Sequence, residues 1–208
     1  FRFIALADDN FYPVTLDDLK TADRREDKTR FNDLTALRED RFELMAQMAK
    51  LPGDLVFLTQ ITMEAAEDPE FLLAMKNAHI RGALVGVEAV TPEGLKDVYK
   101  DFNLAGDELV DRLRLFKKSG VYILGSFIFG LPSDRPSTFD ATAELAKKAD
   151  ITFAQFVTLT PFPGTVDFDK WERENAENML TVDGIPVSRH WLIPQAKRPK
   201  LLTPHPVM

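Results

Sequence analysis

Short apolar runs alternate with amphipathic stretches along this chain, and that alternation limits the fold more than any other feature. Five runs have strand length: Phe3–Ala7, Leu55–Ile61, Ala83–Val90, Val121–Phe129 and Phe153–Leu159. Between them, apolar residues recur at the i, i+3, i+4, i+7 spacing of a helix with one buried face. Leu37, Leu44, Met45 and Met48 mark one such stripe, with Arg41 in line. Phe71, Leu72, Met75 and Ala78 mark a second, Leu109, Val110, Leu113 and Phe116 a third, and Phe139, Ala143 and Ala146 a fourth. The punctuation agrees. Asp68-Pro69 and Thr91-Pro92 each set an N-cap residue before a first-turn proline. Ser137 with Asp140 reads as a capping box, and Gly82 and Gly120 as left-handed helix ends. Strand–helix alternation at this spacing means βαβ units and a parallel sheet.

Five strands fit an open doubly wound sheet or most of a barrel. The glycine-rich phosphate loop of a dinucleotide fold is missing after the first run, where Asp8-Asp9-Asn10-Phe11 stands instead. The expected fold class is therefore α/β, a partial (β/α)6 TIM-like barrel. Residues 15–50 are long for one crossover and should hold two helices, with the mixed charges of Asp23–Arg30 on a solvated face. Beyond Thr165 the pattern fades: one helix over Val166–Met179, then mostly coil. The expected organisation is a barrel part over 1–165 and an extension over 166–208.

Composition removes several function classes. Lys and Arg number 26 against 33 Asp and Glu, a net charge of −7, opposite to the basic excess of nucleic-acid binders. No apolar run is long enough to cross a bilayer. The N-terminal residues have the wrong flanks for a signal peptide, so the expected compartment is the cytoplasm. There are no cysteines, so the chain forms no disulfide and no thiolate-bound cluster. The first strand starts without an initiator Met, and residues 197–208 are basic and proline-rich. Both ends read as cut. An exposed first-strand edge invites pairing with another copy or covering by the tail, so a dimer or a rearranged first strand is expected.

Ligands of parallel α/β sheets bind at the carboxyl ends of the strands, and there each run turns polar. The first ends in Asp8-Asp9-Asn10 and the second in Gln60 and Thr62. The third ends in Gly86-Val87-Glu88, the fourth carries Ser126 and ends at Gly130, and the fifth ends in Thr158-Leu159-Thr160. Leu58, Gln60 and Thr62 share one face, as do Gly86 and Glu88. Each has a purely structural alternative. Asp8-Asp9-Asn10 also suits a turn and N-cap, and Gln60 and Thr62 also suit backbone pairing. Glu88 also suits an ion pair to Arg81 or Lys96, and the fourth-strand glycines also suit helix–sheet packing. The set points to a polar small molecule rich in hydroxyl and amino groups.

In order and spacing, these segments resemble a known family. They are Asp8-Asp9-Asn10-Phe11, Gln60-Ile61-Thr62, Gly86-Val87-Glu88, Gly125-Ser126-Phe127-Ile128-Phe129-Gly130-Leu131-Pro132 and Thr160-Pro161-Phe162-Pro163-Gly164-Thr165. Together they look like strands two to six of radical S-adenosylmethionine (radical SAM) enzymes, in particular the subgroup with a cobalamin-binding domain. Arg189-His190-Trp191-Leu192-Ile193-Pro194 and Pro204-His205-Pro206 add weaker likeness. The resemblance implies a barrel without its first strand. In that family a CxxxCxxC loop holds a [4Fe–4S] cluster, and an electron from it cleaves SAM to methionine and a 5′-deoxyadenosyl radical. By the same resemblance, Asp8, Asp9 and Asn10 stand where the SAM amino group is met. Gln60 and Thr62 face the cavity, and Glu88 suits the ribose hydroxyls. Ser126 and Gly130 lie along the adenine-bordering strand, and Thr160 lies near SAM. The implied cofactors are SAM, a cluster held by ligands outside this chain, and cobalamin in the parent protein; the implied partner is a small-molecule substrate. The chain departs from the pattern in having no cysteine loop and in carrying Asp134 where many relatives have Glu. It is therefore expected to be an inactive piece of an enzyme.

Two other readings stay open. One is a complete non-redox α/β domain that binds a small molecule or a partner. The other is a metal-dependent barrel hydrolase, which would want His and Asp clustered at strand ends. His79, His190 and His205 lie elsewhere, and His190 beside Trp191 reads as a packing pair.

Overall fold

The computed structural model describes residues 2–100 and 106–198. Phe1 and the Pro204-His205-Pro206 segment lie outside these residues. The chain forms two compact units, Phe1–Val157 and Thr158–Met208.

In the first unit, among the described residues, five parallel strands stand in the order β1-β2-β3-β4-β5. They are β1 (Phe3–Ala5), β2 (Val56–Ile61), β3 (Ile80–Glu88), β4 (Tyr122–Phe129) and β5 (Phe153–Thr158, whose last residue opens the second unit). Sequential order with right-handed crossovers makes an arc of barrel. The intervening helices are α1 (Leu16–Arg24), α2 (Lys28–Met48), α3 (Pro69–Asn77), α4 (Pro92–Asp97), α5 (Gly106–Lys118) and α6 (Pro136–Lys148). Two helices do fill the long first crossover, and the Asp23–Arg30 charges span their junction in water. No described helix is long and apolar enough to cross a membrane.

Alternation along the strands decides which face is core. Phe57 and Ile61, Ala83, Val85 and Val87, and Ile123 and Phe127 are buried on the helix side. They meet Met45, Phe71, Leu72, Met75, Leu109, Leu113 and Phe116 there. The opposite face is half-open. Its lower part is apolar: Phe3, Val56, Leu58, Gly82, Tyr122, Leu124 and Phe153 line a hollow of about 630 Å³. Its upper part, toward the carboxyl ends, is polar.

Three local expectations are corrected. Gly82 is not a helix end. It lies inside β3, where an added Cβ would meet Leu58 Cδ1 at 2.7 Å. The left-handed residue that ends α3 is His79, with φ of 60°. Helix α6 begins at Pro136 with Arg135 as its N-cap, so Ser137 is no cap; Thr138 Oγ1 accepts the Arg135 N–H at 3.0 Å. Proline at the first helical position displaced the serine signal. Third, only parts of two helical stripes are buried: Leu37, Leu44 and Phe139 are exposed.

The second unit holds α7 (Val166–Glu174) and a short antiparallel pair, β6 (Thr181–Val182) and β7 (Ile185–Pro186). Thr165 caps α7 through its hydroxyl. Phe168, Val187 and Ile193 are its buried hydrophobic anchors among the described residues. Arg189 grips Glu172 through both carboxylate oxygens, and the Ser188 hydroxyl donates a further bond to Oε1. That hydrogen bonding from Arg189 holds the Glu172 carboxyl below its usual range. His190 packs edge-on to Trp191 with ring centroids 5.6 Å apart.

Candidate functional site

The loop after β1 is fixed before it meets any ligand. Phe11 and Tyr12 are buried, and the Phe11 N–H donates to the Gln60 carbonyl at 2.8 Å. Asn10 Oδ1 accepts the Tyr12 N–H at 3.1 Å, a local turn. Two arginines one turn apart on α2 grip the loop and its support. Arg41 pairs with Asp8 at 2.8 Å and lies 4.3 Å over the Phe11 ring. Arg38 lies 2.5 Å from Asp68 Oδ2 and 4.7 Å over the Phe42 ring. Asp68 also accepts the Tyr12 hydroxyl at 3.1 Å and the Phe71 N–H at 3.0 Å, capping α3. Burial pushes the Tyr12 phenol well above its ordinary range, and the Asp68 charge adds to this. Burial alone would lower the Arg38 guanidinium, but contact with Asp68 outweighs it and the net shift is upward.

A pH dependence follows. The folded phenol titrates above the unfolded one, so its stabilisation is complete below about pH 10 and is lost as pH rises beyond that. Above pH 10 this group should remove up to about 1.4 kcal/mol of stability per pH unit. Urea unfolding between pH 9 and 11 should show a shallower decline for Tyr12→Phe than for the unaltered chain. Parallel declines would place Tyr12 outside the network.

Above this support lies a cavity of about 270 Å³ lined by Asp9, Gln60, Thr62, Glu64, Gly86, Glu88 and Lys100, among others. Thr62 sits at the N-cap of the 3-10 turn Met63–Glu67 without bonding its backbone. Its Oγ1 is buried and has no partner, a condition that costs free energy unless something else fills it. Glu88 ends β3 in left-handed conformation, φ of 67°, on the order of 1–2 kcal/mol unfavourable for a residue with a Cβ. The β3–β4 register shifts there, from Gly86 opposite Ser126 to Glu88 opposite Phe127. The Glu88 carboxylate thereby folds back over Gly86, where an added Cβ would meet Oε1 at 2.3 Å. Its partner is neither Arg81 nor Lys96 but Lys100, 2.7 Å away.

The structure thus gathers Asp9, Gln60, Thr62 and Glu88 around one cavity. Asp8 is engaged by Arg41 and Asn10 by its own turn. Ser126 stands one strand away, opposite Gly86. Gly125 faces the helices, where an added Cβ would meet Ile151 Cδ1 at 3.3 Å. Gly130 has φ of 92° and donates its N–H to Asp134 at 2.8 Å. Thr160 belongs to the second unit and bonds the Thr158 carbonyl at 3.0 Å. Sequence reading missed Lys100, Glu64, and the buried role of Tyr12, Arg38 and Asp68. Only Asp68 left a signal, as an N-cap.

The lining is rich in oxygen acceptors and suits a polar ligand that carries hydroxyl or amino groups. Glu88 can accept hydroxyl donors, and three carboxylates against one lysine favour a cationic ligand. It does not suit an iron–sulfur cluster, because the chain has no thiolates and no described group of three His, Asp or Glu could hold a metal.

No family model matches the chain. It is 31% identical over 164 residues to bacteriochlorophyllide d C-12(1)-methyltransferase of Chlorobaculum tepidum, which covers 76% of this chain and 35% of that protein. It is 36% identical over 107 residues to an uncharacterised methyltransferase of Pyrococcus horikoshii, covering 51% of this chain and 22% of the relative. The chain therefore spans only about a fifth to a third of these relatives. In fold it matches the radical S-adenosylmethionine methyltransferase TsrM from Kitasatospora setae, solved with cobalamin and a [4Fe–4S] cluster bound. The TM-score is 0.59 at 20% identity, covering 89% of this chain and 32% of TsrM. The cobalamin-dependent S-adenosylmethionine radical enzyme OxsB gives 0.51 at 15% identity, covering 90% of this chain and 25% of OxsB. The chain is a partial α/β barrel, similar in sequence to methyltransferases and in fold to two radical SAM enzymes solved with cobalamin bound.

Proposed function

We propose that this chain is the SAM-facing part of a radical SAM methyltransferase-type enzyme, with the cluster and cobalamin held by other parts of the parent protein. The observation that carries this reading is the convergence of Asp9, Gln60, Thr62 and the folded-back Glu88 on one cavity at the carboxyl ends of the strands. Glu88 would accept ribose hydroxyls, Gln60 and Thr62 would hold polar groups between ribose and amino acid, and Asp9 would face the amino group. The cluster, when bound in the parent, supplies the electron that cleaves SAM. This chain's residues only bind and orient, so by itself it should show weak SAM binding and no cleavage.

Equilibrium dialysis with labelled SAM tests the binding reading. Thr62→Val removes a buried hydroxyl that bonds nothing in the protein, so stability should hold or rise, by up to about 1–3 kcal/mol. SAM affinity should fall about three- to tenfold, the worth of one hydrogen bond. Unchanged SAM affinity in Thr62→Val, or no SAM binding by the unaltered chain, would sink the reading. Release of methionine and 5′-deoxyadenosine by this chain with a strong reductant would overturn the inactivity.

A further inference from the structure

We propose that Lys100 is an internal competitor for the ligand position on Glu88, so that a ligand diol binds by displacing an ion pair already in place. The inference rests on the adenosyl reading of the cavity given above. Lys100 follows α4, and its backbone N–H is tied to the Leu95 carbonyl at 2.8 Å. From there the side chain reaches into the cavity wall and puts Nζ 2.7 Å from Glu88 Oε1. The carboxylate is only 16% exposed and the lysine 37%. The pair is thus largely enclosed on the carboxylate side and open on the lysine side. Glu88 is held by its left-handed backbone and by the space that Gly86 leaves. Of the two partners, the lysine is the one free to swing.

A ribose diol donates one hydroxyl to each carboxylate oxygen, and the ammonium on Oε1 already takes one of that oxygen's acceptor sites. Displaced, the Lys100 ammonium is not stranded, because Asp9 and Glu64 line the same cavity and leave a carboxylate excess. Ligand entry therefore exchanges one partner of Lys100 for another. The exchange gives the cavity two states: closed, with Lys100 on Glu88, and open, with the diol on Glu88.

The test uses adenosine, which is uncharged at neutral pH, followed by amide chemical shifts of the labelled 208-residue chain. An uncharged ligand responds to salt here only if it competes with an ion pair. Raising NaCl from about 50 to 500 mM shortens the screening length and weakens the pair, so adenosine should bind the unaltered chain about two- to threefold more tightly. Lys100→Met should bind it about fivefold more tightly at low salt, the upper worth of a partly exposed pair, with no salt response. The analogue 2′,3′-dideoxyadenosine, which lacks the diol, should respond to neither change. Lys100→Gln serves as a second variant if Met disturbs folding.

Weaker or unchanged adenosine binding by both lysine variants, while the unaltered chain still binds adenosine, would overturn the proposal and make Lys100 a support for Glu88. So would an equal salt response from adenosine and the dideoxy analogue. If neither adenosine nor SAM binds any of these proteins, the adenosyl reading itself fails and the Lys100 proposal fails with it.

Discussion

Asp68→Ala should cost this fold about 3–5 kcal/mol, the range for removing one partner of a buried ion pair. Asp68 is 2% exposed, and three groups depend on it: the Phe71 N–H, the Tyr12 hydroxyl and the Arg38 guanidinium. Alanine removes the α3 cap and leaves the phenol without its acceptor. It also leaves Arg38, whose side chain is 13% exposed, with only Glu70 at 3.4 Å. Asp68→Asn keeps a capping oxygen and should cost less, about 1–3 kcal/mol. The double variant Asp68→Ala with Arg38→Met should recover part of the loss, because the unpaired charge goes too. Urea unfolding measures all three. A loss under about 1 kcal/mol for Asp68→Ala, or strict additivity in the double variant, would refute the network account. The network has a functional side, since it anchors the loop that carries Asp9 to the cavity.

Gly86→Ala should do the reverse, sparing stability while removing ligand binding. The added Cβ would fall 2.3 Å from Glu88 Oε1 and 3.6 Å from Lys100 Nζ. The crowded atom is the far end of a flexible side chain, so the carboxylate moves and the strand stays. Stability should change by less than about 1 kcal/mol. With Glu88 turned away from the cavity, two charge-assisted hydrogen bonds to a ribose are lost, and SAM affinity should fall about a hundredfold or more. Glu88→Gln should give a smaller loss, because the amide still accepts at one oxygen. If Gly86→Ala binds SAM as well as the unaltered chain does, Glu88 does not hold the ribose. A strongly destabilised Gly86→Ala would mean that the glycine serves the backbone and not the cavity.

Particular elements separate what was legible in the sequence from what was not. The stripes Phe71, Leu72, Met75 and Leu109, Val110, Leu113, Phe116 predicted buried helix faces, and those residues are buried. Gly120 ended a helix as expected, with φ of 83°. Gly82 misled because a glycine after a helix usually marks its left-handed end. Here His79 takes that conformation, and the glycine is needed three residues later to admit Leu58. At the site, Gln60, Thr62 and Glu88 were legible because strand alternation puts them on one face at the carboxyl ends. Lys100 was not: it is twelve residues from Glu88 in sequence, and no local pattern names a partner across a crossover.

The sequence by itself determined the order of strands and helices, the parallel sheet and the end of it that is polar. These follow from period-two and period-3.6 patterns, which are local properties of the chain. Only the tertiary structure decided how each polar group is used: Asp8 to Arg41, Asn10 to its own turn, Glu88 to Lys100, and the Thr62 hydroxyl to nothing in the protein. The reason is physical. A backbone pattern sets which face a side chain occupies, but whether its charge or hydroxyl is satisfied depends on groups brought within 3 Å by elements far apart in sequence.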